Sequence, residues 1–350
     1  MTANRLSGKA QTVLGPVSPE SLGITLVHEH LLVDLGSGFS LPEAASERAL
    51  AYEPVGLENL WWVRRYFTSN LDNLRLLDET TAIAEAGRFK RAGGQTIVDV
   101  TSIGIGRDPC GLARISRATG LHVLMGSGYY TGNIHPPDMD RKTEDEITRE
   151  IVRDVTVGVG ETRICAGLIG EIGCSWPWQE NERKVVRAAA HAQQETGAML
   201  MIHPGRDVTA PLAIVRELER AGAVLSRTIM CHIERTITDI AGVLELAATG
   251  VCLEYDLFGQ ESSFYPLSSI DMPNDAQRLA QLEVLITKGY LKQILIAHDI
   301  CTKHRLTRYG GHGYDHLLRN VVPCMRGKGF TEEHIRSILM DNPQRLLCFV

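Results

Sequence analysis

Eight apolar runs, each of strand length and each followed by a longer stretch with helical spacing, constrain this chain more than any other feature. They are ITLVHEHLLV (24–33), GQTIVDVTS (94–102), LHVLMGSGYY (121–130), CAGLIGEIG (165–173), AMLMIHPG (198–205), TIMCHIE (228–234), VCLEYDLF (251–258) and QILIAHDI (293–300). A strand with one wet face alternates apolar and polar residues. These runs are nearly continuous in Val, Ile, Leu and Met, as strands of a parallel sheet covered on both faces are. Crossover helices are expected at 71–92, 108–119, 142–156, 179–196, 208–222, 236–249 and 274–289, with a last one at 331–340. ERKVVRAAAHAQQETG and VTAPLAIVRELERAG both end in the glycine that commonly stops a helix. Eight such units predict one α/β domain, a single (β/α)₈ TIM barrel over 1–350, with an insertion at 35–70 after strand one and a long loop at 301–330 after strand eight. An open doubly wound sheet rarely uses eight units and usually carries G-x-G-x-x-G after its first strand, which is absent here. No low-complexity segment or Pro/Ser-rich linker divides the sequence.

Charge and composition exclude several classes of partner. A formal charge of −6 supplies no basic footprint for a phosphate backbone, so nucleic acid is not expected. No stretch approaches the roughly 18 apolar residues of a membrane span, and MTANRLSGKAQTVLG lacks the apolar run of a signal peptide. A cytosolic protein without a membrane partner is the expectation. The eight cysteines form no C-x-x-C pair, and Cys231 and Cys252 sit inside apolar runs where a reduced thiol packs as a small hydrophobe.

The chemistry of a barrel of this kind gathers at the C-terminal ends of its strands. Strand one carries His28-Glu29-His30, whose spacing turns both imidazoles to one side and Glu29 to the other. Strand four ends in Glu171, strand five in His203, strand six in His232 and strand eight in Asp299. Alone, each is an ordinary rim residue. Together, four His, one Glu and one Asp on five strand ends are costly to bury without a cation, and they offer enough N and O ligands for two metal positions. Glu254 and Asp256 on strand seven read equally as ligands, as partners of a loop arginine, or as contacts for a substrate amine. His298 should point into the helical layer as a packing residue. Arg206, after His203-Pro204-Gly205, suits a forked contact with an anion, with a loop salt bridge as its alternative. Tyr130 closes strand three, and Tyr309 and His312 lie in the 301–330 segment, which is placed to fold over the mouth. The 35–56 part of the insertion is expected to cover the rim or to form a homodimer face, and Trp61 and Trp62 are expected in the core. No G-x-S-x-G elbow, P-loop or H-E-x-x-H helix is present, which removes the common serine-hydrolase, nucleotide-triphosphatase and zincin readings.

The H-x-H on strand one, the single ligands on strands four, five and six, and the Asp on strand eight resemble the amidohydrolase superfamily and, within it, the phosphotriesterase family. TLVHEHL, IGEIGCSWP, MIHPGR, LEYDLFG, AHDICTK and RYGGHGYDH extend that likeness over essentially the whole chain. The resemblance implies a binuclear hydrolase holding two divalent metal ions, Zn²⁺ foremost. It assigns His28, His30 and Asp299 to the more buried ion, His203 and His232 to the more exposed one, and Glu171 to a bridge between them. Bacterial members place a carboxylated lysine at that bridge, so efficient organophosphate hydrolysis does not follow. The likeness to animal members implies a small N-acetylated substrate, N-acetyltaurine and related N-acetyl amino acids, cleaved to free amine and acetate with Asp299 carrying the proton. A lactonase or phosphotriesterase on the same site, and a metal-bound scaffold without turnover, remain as alternatives.

Overall fold

A computed structural model describes residues 6–350; the first five residues of the segment read as lacking a leader lie outside them. All eight apolar runs form strands, shorter than the runs themselves: β1 Thr25–Glu29, β2 Thr96–Asp99, β3 His122–Ser127, β4 Leu168–Gly173, β5 Leu200–His203, β6 Thr228–Met230, β7 Cys252–Tyr255 and β8 Ile294–Ile296. They pair in parallel and in chain order. Beyond the ladder, the Asp299 N–H donates to the His28 carbonyl at 3.2 Å and brings the last strand end to the first. This is the (β/α)₈ TIM barrel that the repeat predicts.

Seven helices follow the strands: α1 Glu79–Arg91, α2 Pro109–Thr119, α3 Glu144–Thr156, α4 Glu180–Thr196, α5 Ala210–Arg220, α6 Ile240–Ala248 and α7 Asp275–Thr287. Their ends obey local chemistry. Thr143 and Glu146 cap α3 reciprocally, Asp108 caps α2 ahead of Pro109, and Gly197 ends α4 in the left-handed conformation at φ 71°. Three expected boundaries differ. Residues 71–78 are not helical, because Asn70 and Asp72 accept from the backbone of Asn73 and Val55 at 2.7 and 3.0 Å, and Arg75–Leu76 pairs with Val33–Asp34. The 301–330 segment is loop only in its first half and turns helical over Leu317–Gly327. The last helical run continues past 340 to Leu347.

Burial on both strand faces separates two layers. Leu26, Ile97, Val123, Leu200, Met230, Leu253 and Ile296 pack outward against helix residues such as Ala86, Phe89 and Leu282. Val27, Val98, Leu124, Met201, Ile229, Cys252 and Leu295 form a separate interior cluster with Leu22, Leu346 and Leu347. The Thr96 hydroxyl, at the start of β2, donates to the Leu22 carbonyl at 2.6 Å, so this cluster is closed at the strands' N-terminal ends and the opposite end is left for the site. No helix among the described residues is long and apolar enough to cross a membrane.

Candidate metal centre

Strict alternation from the interior residue Val27 would turn His28 outward, and from Leu168 it would do the same to Glu171. Each strand carries one extra residue before its ligand. Between Leu26 and Glu29 three residues of β1 span two of β2, and between Ile169 and Ile172 three residues of β4 span two of β5. These bulges shift the parity and re-aim His28, His30 and Glu171 into the mouth. His203 and Asp299 arrive in simple register from the interior residues Met201 and Ala297. His232, one residue after the interior Cys231, is brought in by a left-handed backbone at φ 55°, and Asp299 sits at φ 52°. Both conformations are unfavourable for residues other than glycine and are held by their surroundings. The Asp256 carboxylate accepts from the His232 N–H at 2.9 Å.

The six residues meet in one buried cluster. Glu171 Oε1 lies 2.6 Å from His203 Nδ1, 2.7 Å from His232 Nε2 and 3.7 Å from His28 Nε2. Asp299 Oδ1 lies 3.6 Å from His28 Nε2 and 3.3 Å from His30 Nε2. Donor atoms of His28, His30 and Asp299 all fall within 4.8 Å of one another, as do those of His28, Glu171 and His232. His28 Nε2 is buried without a hydrogen-bond partner among the described residues, an orphan that a cation among imidazole and carboxylate donors would satisfy. The residues present therefore fit a metal site.

Glu254 and Asp256, weighed as ligands, as arginine partners or as contacts for a substrate amine, stand behind the cluster against its histidines. Glu254 Oε2 is 2.9 Å from His28 Nδ1, and Asp256 Oδ1 is 2.7 Å from His232 Nδ1. Each holds one ring nitrogen so that the other faces the cluster, the arrangement by which carboxylates orient metal-binding histidines. The signal was available: counting in twos from the interior Cys252 lands on 254 and 256. His298 behaves as expected, buried with Nδ1 2.7 Å from Glu29 on the far side of the cluster.

Electrostatics divide the imidazoles. Burial works against a charged His28, yet Glu254 and Glu171 raise it well above its ordinary value. Burial, aided by Arg235 and opposed by Glu171, pushes His203 down to about 4. Burial also disfavours the charged Asp299 carboxylate, but the His30 hydrogen bond and the His28 charge hold it below the usual carboxylate range.

A cavity of about 530 Å³ opens over the cluster, lined by His30, His203 and Asp299 below and by Arg64, Arg206, Arg235 and Arg305 around the wall. Tyr130 and His312 line it too, whereas Tyr309 does not. Tyr309 packs against the small cluster of Val55, Leu60, Trp62 and Val63, with Lys303 and Arg308 near its ring, so the lid residue expected there belongs to the support of the loop. Among the described residues Arg206 makes no salt bridge; its Nε donates to the Tyr265 hydroxyl at 2.8 Å, and the side chain lines the cavity. Leu35, Ser37, Gly38, Phe67 and Thr68 bring the insertion onto the rim. Trp62 is buried as expected, but Trp61 is 69% exposed. Arg64, Arg235 and Arg305 escaped the sequence reading, because nothing in their spacing marks them.

The model of the Phosphotriesterase family matches residues 8–347. The chain belongs to this family. Within it, N-acetyltaurine hydrolase of Salmo salar is 46% identical over 347 residues, covering 98% of this chain and 99% of the relative. N-acetyltaurine hydrolase of Homo sapiens is 45% identical with coverage of 98% and 99%. Among solved structures, a Resiniferatoxin-binding protein from Rhodobacter sphaeroides superposes with a TM-score of 0.94 at 37% identity, over 97% of this chain and 95% of that one. The family match and this superposition both run along the full barrel.

Proposed function

We propose that this chain is a metal-dependent amidohydrolase that cleaves N-acetyltaurine and related N-acetyl amino acids to the free amine and acetate. The observation that carries this reading is one wall: a buried imidazole–carboxylate cluster opens through Asp299 and His203 into a cavity ringed by arginines, which suits a neutral amide tethered to an acid group. The full-length likeness to N-acetyltaurine hydrolases supports the same substrate class.

His28, His30 and Asp299 would hold one divalent cation, His203 and His232 a second, with Glu171 shared between them; imidazole and carboxylate donors suit Zn²⁺. When bound, such ions lower the pKa of a ligated water to about 7 and polarise a carbonyl oxygen. The chain's own residues do the rest. Asp299 presents Oδ2, the oxygen left by His28 and His30, to take the proton of the attacking water and deliver it to the amide nitrogen, since an amine leaves poorly as an anion. Tyr130, whose hydroxyl is held protonated by burial, stands 3.1 Å from His203 Nδ1 at the edge of the acyl position. Arg206 offers its guanidinium nitrogens to the sulfonate or carboxylate.

Metal analysis of the purified protein coupled to acetate release from a panel of N-acetyl compounds, a lactone and an aryl phosphotriester tests this. About two metals per chain and fastest acetate release from N-acetyltaurine are expected. Less than about one metal per chain with every compound inert would favour a scaffold instead. Arg206→Ala is expected to raise KM for acidic N-acetyl substrates by about tenfold, the value of a charge-assisted contact, and to leave neutral ones nearly unchanged. Equal effects on both would remove Arg206 from recognition.

A further inference from the structure

The turn after β6 sends two neighbouring side chains to different cavities. Arg235 lines the catalytic one, whereas Glu234 lines a second, of about 440 Å³, together with Asp271, Met272 and, from α7, Gln281. Glu234 is fully buried. Its Oε1 is engaged, accepting from the Leu257 N–H at 2.9 Å and from Arg278 Nε at 3.1 Å, but its Oε2 has no hydrogen-bond partner among the described residues. Gln281 Oε1 is buried without a partner as well. Two acceptor oxygens, one of them on a carboxylate, are thus left without donors around a single cavity, and a buried acceptor is costly to leave unmet.

Charge sharpens the demand. Arg278 does not serve Glu234 alone, since its Nη1 also donates to Asp275 at 2.9 Å, and Asp271, at the exposed rim, makes no ion pair among the described residues. Arg278 Nη2 lacks a partner too, but Arg278 does not line the cavity, so the unmet buried groups of the lining residues are acceptors. No group of three or more carboxylate, imidazole or thiolate donors close enough to hold a metal ion includes Glu234. The space is also far larger than a bare ion needs. An alkylammonium head fits this chemistry better: it has three donors and no acceptor, the hydroxyls of Thr238 and Ser263 stand ready as a third acceptor, and Met272 and Pro273 offer apolar surface to its methylenes.

We propose that this second cavity is a binding site for an aliphatic amine in its ammonium form, the head donating to Glu234 Oε2 and Gln281 Oε1 and the chain lying against Met272 and Pro273. The site is separate from the catalytic one and does not rest on the hydrolase reading. A diamine suits it best, because its far ammonium meets Asp271 at the rim, and the four arginines around the catalytic cavity repel such a ligand from that space.

The full chain, as purified and at low salt, is titrated calorimetrically with putrescine and with butanediol, its neutral counterpart of the same length, for the wild type, Gln281→Leu and Asp271→Asn. Both substituted residues line this cavity and not the catalytic one. Glu234 is left in place because its Oε1 also holds Leu257 and Arg278. The wild type is expected to bind one putrescine per chain and no butanediol. Gln281→Leu should weaken putrescine by about tenfold, the worth of a hydrogen bond to a charged group. Asp271→Asn should weaken it by about two- to fivefold, as for an exposed pair, and added salt should erase that difference. No saturable binding below about 10 mM overturns the proposal. Butanediol binding as tightly as putrescine overturns the ammonium contact, and unchanged affinity in both variants places the amine elsewhere and overturns the site.

Discussion

Asp299→Asn is expected to lower turnover of an N-acetyl substrate by about 10²–10⁴-fold, the usual worth of a positioned proton carrier. Asparagine is the informative replacement because it tolerates the left-handed backbone that Asp299 adopts at φ 52° and keeps one oxygen toward His28 and His30. It cannot accept and return a proton. The two imidazoles that hold the native carboxyl ionised in the cluster then face a neutral amide, so the loss should appear in kcat rather than in KM. Metal per chain and the circular dichroism spectrum of the variant separate this from a failure to load or to fold. Turnover near that of the wild type, with metal retained, would remove Asp299 as the proton carrier.

How far the sequence reached depended on which physical rule governed each residue. The eight strands were legible because a strand covered on both faces must be apolar throughout, and no competing rule acts inside the barrel wall. His203 and Asp299 were legible for the same reason, lying in plain register with Met201 and Ala297. The inward turn of His28 and Glu171 depends on bulges that alternation alone does not contain, and His232 depends on a left-handed residue; the six residues singled out do meet in one cluster, but by a backbone that the pattern did not contain. Residues 71–78 were misread as helix because apolar spacing was counted without the Asn and Asp side chains that capture the local N–H groups. Tyr309 was placed by its position in a loop over the mouth, but a loop needs support as well as a lining, and it packs against the cluster of Val55, Leu60, Trp62 and Val63 instead. Arg235 lay beyond reach, since its place on the cavity wall depends on the turn after β6 and on a histidine from another strand.

Glu254 supplies the second large effect. Its carboxylate is fully buried, with Oε2 2.9 Å from His28 Nδ1 and Oε1 without a partner. The carboxylate is held by His28, which it raises well above its ordinary value, and by the Cys231 thiol, so its main task is to fix the His28 ring. Removing it with Glu254→Ala frees His28 to rotate and to change tautomer, and metal affinity is expected to fall by about 10–100-fold, the cost of losing the group that orients a metal-binding histidine. Glu254→Gln keeps an acceptor for Nδ1–H, so His28 stays aimed at the cluster and most of the affinity survives. Stability should fall as well in the stripped protein. Without metal, Glu254 raises His28 well above its ordinary value and the two form a buried pair, so Glu254→Gln, which removes one partner's charge, is expected to lower Tm. Chelator titration and thermal unfolding of both forms measure the two effects. If Glu254→Ala holds metal as firmly as the wild type, Glu254 is a packing residue and the orientation of His28 is set by the bulge in β1 alone.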